Sequence, residues 1–215
     1  MAMVVVAGVG QTPVGEHWGT GLRDLALAAM SDAIADAGGL RPQALFVGNM
    51  LAPNISNQAH VGALLADTAG LAGIEAVTLE AAGASGGAAL RQGYLAIASG
   101  FVDVALVVGA EKLTDRVGAD LDAALATTAD SDFESVQGLT PSAQAAMLDL
   151  RRYVGDDGEA CQKCATIYPE VDVLQRVIER WQDVLVVAAQ DLQGRANLHC
   201  DLKVRRAAFA QKVCA

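Results

Sequence analysis

A chain of 215 residues is long enough for one α/β domain with a sizeable core, or one domain and a small appendage, and too short for a second full domain. Its formal charge of -10 disfavours nucleic acid and anionic membrane surfaces as partners, because both require cationic patches. Hydrophobic residues make up 53% of the chain but aromatics only 4%, so the apolar content is mostly Ala, Val and Leu, as in helices packed on buried parallel strands.

The first strand is predicted from Met3 to Ala7, closed by Gly8-Val9-Gly10. Leu22, Leu25, Ala29 and Ala33 then recur at helical spacing up to a Gly38-Gly39 stop. Ala44 to Val47 reads as the second strand, and Asn57 to Ala69 as a helix with Val61, Leu64 and Leu65 inward. A third strand covers Ala76 to Glu80, a third helix Ser85 to Ser99, and a fourth strand Val102 to Val108. Strands apolar on both faces, alternating with helices, predict an α/β fold with a mostly parallel central sheet covered on both sides.

Glu111 to Leu139 is acidic and rich in Thr, Ala, Ser and Asp, and reads as a loop-like excursion. Thr140-Pro141 opens a helix predicted through Tyr153, with Thr as cap and Pro at the first helical position. Gly155-Asp156-Asp157-Gly158 is the candidate boundary, giving a domain over 1–155 and a tail over 156–215. In that tail Val171, Leu174, Ile178, Trp181, Leu185, Ala188 and Leu192 alternate at spacings of 3 and 4, which predicts a helix between Pro169 and Gly194.

No run of about 18 apolar residues occurs, so no membrane span is expected. The N-terminus also lacks a cationic region before its apolar stretch. All four cysteines, Cys161, Cys164, Cys200 and Cys214, lie in the last third, so no disulfide framework staples the domain. A soluble, cytoplasmic protein is expected. Cys161 and Cys164 have ligand spacing, but the adjacent His199 and Cys200 do not, and no metal site is expected. Gly8-Val9-Gly10 does not extend to a dinucleotide fingerprint, because Pro13 stands at the last glycine position. His17 and Trp18 follow the first strand as solvated loop residues or substrate contacts. Asn49 and Asn54 border the loop after strand two, where an open parallel sheet places its ligand crevice, and read as substrate contacts or turn residues.

Glu80-Ala81-Ala82-Gly83-Ala84-Ser85-Gly86-Gly87 together with Gly109-Ala110-Glu111-Lys112-Leu113 resembles the thiolase family. There, strand three ends in a Glu-x-x-Cys-x-Ser-Gly turn feeding a helix, and strand four ends in Gly-x-Glu-x-Met or Leu. The resemblance covers about residues 3–153 and is greatest to the sterol-carrier and archaeal acetoacetyl-CoA type. It implies the first of two similar halves of a thiolase fold, and binding or transfer of a short acyl group. The ligand would be a coenzyme A thioester, a substrate and not a cofactor. It also implies a homodimer with strand three at the two-fold.

Physically, the strand-to-helix turn lies before exposed helix N–H groups, where a thiolate would be stabilised. Gly86 and Gly87 are expected to let that helix approach the sheet. The family's nucleophilic cysteine matches Gly83, which carries no side chain, and its C-terminal catalytic motifs are not found in this chain, so thiolysis by the chain alone is not expected. Gly83 is then an inactivating replacement, a sign of another reaction such as aldolase-type cleavage or of ligand binding, or a structural glycine. A non-catalytic acyl-CoA binding module and a subunit completed by a partner chain stay open. The resemblance makes Ser85 and Gly86 part of the substrate-binding turn. Glu80 and Glu111 are supports of that pocket, dimer contacts, or strand-end caps facing water.

Overall fold

The computed structural model describes residues 4–140, 143, 144, 146, 147 and 184–190. Its centre is a five-stranded sheet in the order β1-β5-β4-β2-β3. The strands are β1 (Val4–Gln11), β2 (Ala44–Gly48), β3 (Glu75–Leu79), β4 (Val104–Gly109) and β5 (Val184–Gln190). β2 is parallel to β3 and β4, whereas β5 runs antiparallel to both β1 and β4, so four strands share one direction and one is reversed. The mostly parallel α/β sheet expected from the sequence is present.

Alternation along β2 and β4 divides the core in two. Leu45, Val47, Leu106 and Val108 pack with Met30 and Ala33 of helix α1 (Leu22–Asp36) and Leu65 of α3 (Val61–Thr68). Ala44, Phe46, Ala105 and Val107 pack on the other face with Ala89, Ala96 and Ile97 of α4 (Ser85–Ala98). Each fully buried Leu, Ile, Phe or Met here contributes about 1.5–3 kcal/mol. No helix among the described residues is long and apolar enough to cross a membrane.

Several boundaries differ from expectation. β1 runs on through Gly8, Val9 and Gly10 instead of closing there. A side-chain carbon at Gly8 would lie 2.4 Å from the Ala33 carbonyl oxygen, and one at Gly10 2.1 Å from that of Ala29, so both glycines exist to seat α1 directly on the strand. The helix predicted over Asn57 to Ala69 begins only at Val61, because Asn57 and His60 adopt φ of 51° and 55°. Short helix α2 (Ala52–Ile55) precedes it. α3 is joined to β3 by the Gly62 N–H, which donates to Thr78 Oγ1 at 2.8 Å.

The excursion after β4 contains helix α5 (Ala119–Ala126), whose Leu121, Ala124 and Leu125 pack on Leu51 and Ile55. Arg116 Nε donates to the Ile55 carbonyl at 3.1 Å, and the buried Lys112 pairs with Asp115, which ties the excursion down. Thr140 caps as expected, its Oγ1 accepting from the Ala143 N–H at 3.2 Å. The rest of the helix predicted to Tyr153 lies outside the described residues.

Val184–Gln190, placed by its spacing on a helix, is instead the strand β5 between β1 and β4. A run of Val-Leu-Val-Val-Ala-Ala suits a strand equally well on local grounds, and backbone pairing on both edges decides it. Val171, Leu174, Ile178 and Trp181 lie outside the described residues, as do the Gly155–Gly158 boundary, the four cysteines and His199.

Candidate functional site

Parallel register brings Gly48, Leu79 and Gly109 side by side at the carboxyl edge of the sheet. From Leu79 the chain passes through Glu80 and Ala81 into a 3-10 turn (Ala82–Ala84) that feeds α4. Ala82 in this turn has φ of 49°, a left-handed conformation that costs a non-glycine residue about 1–2 kcal/mol. Hydrogen bonds hold it there. Glu80 Oε1 accepts from the Ala82 N–H, Ser85 Oγ accepts from the Ala81 N–H at 2.9 Å, and the same hydroxyl donates to the Ala82 carbonyl at 2.7 Å.

Gly83 sits exposed at the crest of this turn, and a side-chain carbon there would meet nothing within 4 Å. The same is true at Gly86 and Gly87, so they are not the glycines that bring α4 to the sheet. Gly48 and Gly93 have that role. A carbon at Gly48 would lie 2.6 Å from the Ser85 carbonyl oxygen and 2.7 Å from the Gly86 nitrogen, and one at Gly93 2.6 Å from Val107 Cγ2. The end of β2 therefore supports the first turn of α4.

Beside it a second network joins β2 to β4. Asn49, 3% exposed, donates from Nδ2 to the Ala110 carbonyl at 2.8 Å and to Glu111 Oε1 at 3.0 Å, and its Oδ1 accepts from the Ala52 N–H at 3.1 Å. Glu111 Oε2 accepts from the N–H groups of Met50 and Leu51 at 2.9 and 3.0 Å. Burial raises the Glu111 pKa above the ordinary carboxylate range. Hydrogen bonds from Met50, Leu51, Asn49 and the Lys112 backbone oppose that rise.

The sequence-derived residues thus fall into two linked groups: Glu80, Gly83, Ser85 and Gly86 in the β3–α4 turn, and Asn49 with Glu111 at the ends of β2 and β4. The polar atoms of Asn49 and the Ser85 hydroxyl are engaged within the protein. Asn54 is exposed on α2, and no hydrogen bond ties its side chain to either group. His17 Nε2 lies 2.6 Å from the Pro13 carbonyl and Trp18 Nε1 donates to Glu16, so both are engaged within their own loop. Gly48 escaped the sequence reading, although a glycine ending an otherwise bulky buried strand is a signal of close approach. Among the described residues no group of three or more His, Cys, Asp or Glu side chains is placed to hold a metal ion. A cavity of about 370 Å³ between the start of α1 and α3, lined by Leu22, Arg23, Gln58 and Asp115, shares no lining residue with the turn.

Residues 4–151 match the family profile described as Thiolase, N-terminal domain. The chain is 43% identical over 170 residues to an acetyl-CoA acetyltransferase of Methanothermobacter thermautotrophicus, covering 78% of this chain and 43% of the relative. To an acetyl-CoA acetyltransferase of Methanocaldococcus jannaschii it is 41% identical over 161 residues, covering 74% and 40%. The chain therefore spans about two fifths of the length of these curated relatives. Among solved structures, the Ltp2-ChsH2(DUF35) aldolase superposes with a TM-score of 0.58 at 19% identity, covering 90% of this chain and 57% of that one. Human mitochondrial 3-ketoacyl-CoA thiolase in complex with CoA superposes with a TM-score of 0.53 at 16% identity, covering 88% and 65%. These two likenesses concern the fold. With the family profile running from β1 past β4, and the β3–α4 turn and the β4 end in the expected order, the chain belongs to the thiolase family through that family's N-terminal domain.

Proposed function

We propose that this domain binds a short acyl or ketoacyl group carried on coenzyme A at the β3–α4 turn, and that it forms no acyl-enzyme because Gly83 stands at the nucleophile position. The observation that carries this reading is the exposed, side-chain-free residue at the amino end of α4, with open space above it. The first turn of a helix offers N–H groups without intrahelical acceptors and the positive end of the dipole, which suits a thioester or carbonyl oxygen. The acetyl-CoA acetyltransferase relatives and the CoA-bound thiolase of like fold support the ligand class.

The test pairs calorimetric titration of acetoacetyl-CoA with an assay for acetyl-CoA formation from acetoacetyl-CoA and CoA. Binding without turnover is expected. Turnover would refute the inactivity, and no detectable binding would refute the ligand assignment. A second reading, aldolase-type cleavage without a cysteine nucleophile, is favoured by the same position 83 and is tested by release of a carbonyl product from a 3-hydroxyacyl-CoA. A homodimer through β3 belongs to the proposal as well. Among the described residues β3 is the last strand of the sheet, and Val77 on it is 37% exposed. Light scattering that shows a stable monomer would remove it.

A further inference from the structure

We infer that Ser85 is a positioning residue, whose hydroxyl sets the orientation of the Ala82–Gly83 peptide and so of whatever residue 83 presents to a ligand. The inference rests on the reading of the β3–α4 turn as the binding site.

The hydroxyl is 2.9 Å from the Ala81 nitrogen and 2.7 Å from the Ala82 oxygen, so it accepts on one side of Ala82 and donates on the other. The Ser85 N–H is bonded to that same Ala82 carbonyl. In a planar trans peptide the carbonyl and the following N–H point in opposite directions. Drawing the Ala82 carbonyl toward Ser85 therefore sends the Gly83 N–H away from it. The left-handed φ of Ala82 persists only where surrounding bonds impose it, and Ser85 and Glu80 supply bonds to both of its peptide groups. Ser85 is 6% exposed, with its capacity taken up inside the turn, so its part is to hold the turn and not to contact substrate.

The experiment measures the pH dependence of iodoacetamide alkylation at position 83, with the four native cysteines replaced by Ser. A cysteine replacing Gly83 at this helix start should alkylate half-maximally well below the free-thiol value of about 8.5. Adding Ser85→Ala should move that midpoint back toward the free-thiol value and slow alkylation at pH 7 by up to about tenfold for each pH unit by which the midpoint comes to stand above 7. Adding Ser85→Thr, which keeps the hydroxyl, should leave the low midpoint in place.

If Gly83→Cys alone shows a free-thiol midpoint, the reading of the turn as a thiolate-stabilising site falls, and this inference falls with it. If Gly83→Cys is depressed and Ser85→Ala leaves it equally depressed, only the role of Ser85 is overturned. Where Ser85→Ala fails to give a native circular dichroism spectrum, the threonine variant decides: a free-thiol midpoint in that folded variant also overturns the role.

Discussion

Asn49 Nδ2 lies 3.0 Å from Glu111 Oε1, and this amide–carboxylate pair closes a corner between the carboxyl ends of β2 and β4. Glu111 is held there against its own desolvation, which raises its pKa above the ordinary carboxylate range while Met50, Leu51 and Asn49 stabilise the charged form. A carboxyl whose folded pKa is raised binds more protons folded than unfolded between the two values. Its contribution to stability is therefore complete below the unfolded value of about 4.3 and is lost as pH rises through the folded pKa. Urea midpoints measured from pH 4 to pH 7 should show wild type losing stability relative to Glu111→Gln as pH rises. A difference that is flat or grows with pH would contradict this account of the corner.

Gly48 and Gly86 are both glycines at the turn, yet their surroundings predict opposite outcomes. Gly48→Ala places a methyl 2.6 Å from the Ser85 carbonyl, where backbone must shift, and should destabilise by about 1–3 kcal/mol as overpacking does. Gly86→Ala meets open space within a helix and should be neutral or stabilise by up to about 1 kcal/mol. Chemical denaturation of both variants checks the pair. Equal losses would mean that β2 does not support the start of α4.

Much of this arrangement was legible in the sequence because it is local. The apolar runs of β2 and β4, the glycine stop after α1 and the order of the β3–α4 turn before Glu111 all appear within short windows. What escaped depends on distant partners. Asn49 looked like a possible ligand contact, but Ala110 and Glu111, some sixty residues away, occupy its amide. Gly86 and Gly87 looked like the packing glycines, but only the path of β2 reveals Gly48 in that role. β5 was hidden for the same reason. Val184–Gln190 fits a helical stripe by spacing, and only its insertion between β1 and β4 makes it a strand.

Ala82 offers a test of strain in the turn. Glycine adopts a φ of 49° freely, so Ala82→Gly removes a cost of about 1–2 kcal/mol, offset in part by the greater freedom of glycine in the unfolded chain. The expected outcome is a thermal midpoint equal to or above that of wild type. A clear drop would show that the alanine methyl makes a contact worth more than the strain.

The backbone of β5 pairs on both edges. Val186 stands opposite Val9 of β1 and Val107 of β4, whereas Gln190 at the end of the strand stands opposite Val4 alone. Proline has no N–H to give and its ring is tolerated only at strand edges and ends. Val186→Pro should therefore break the ladder at the centre of the sheet and detach β1 from the parallel strands. The loss expected is a large part of the roughly 5–15 kcal/mol available to a domain, since a ladder hydrogen bond is removed and the ring crowds both neighbours. Gln190→Pro, at the strand end, should cost much less. Urea midpoints and amide exchange across residues 104–108 are the measurements: Val186→Pro should lower the midpoint and speed exchange there, and Gln190→Pro should leave both near wild type. Equal behaviour of the two variants, with slow exchange retained in β4, would show that β5 does not hold this sheet together.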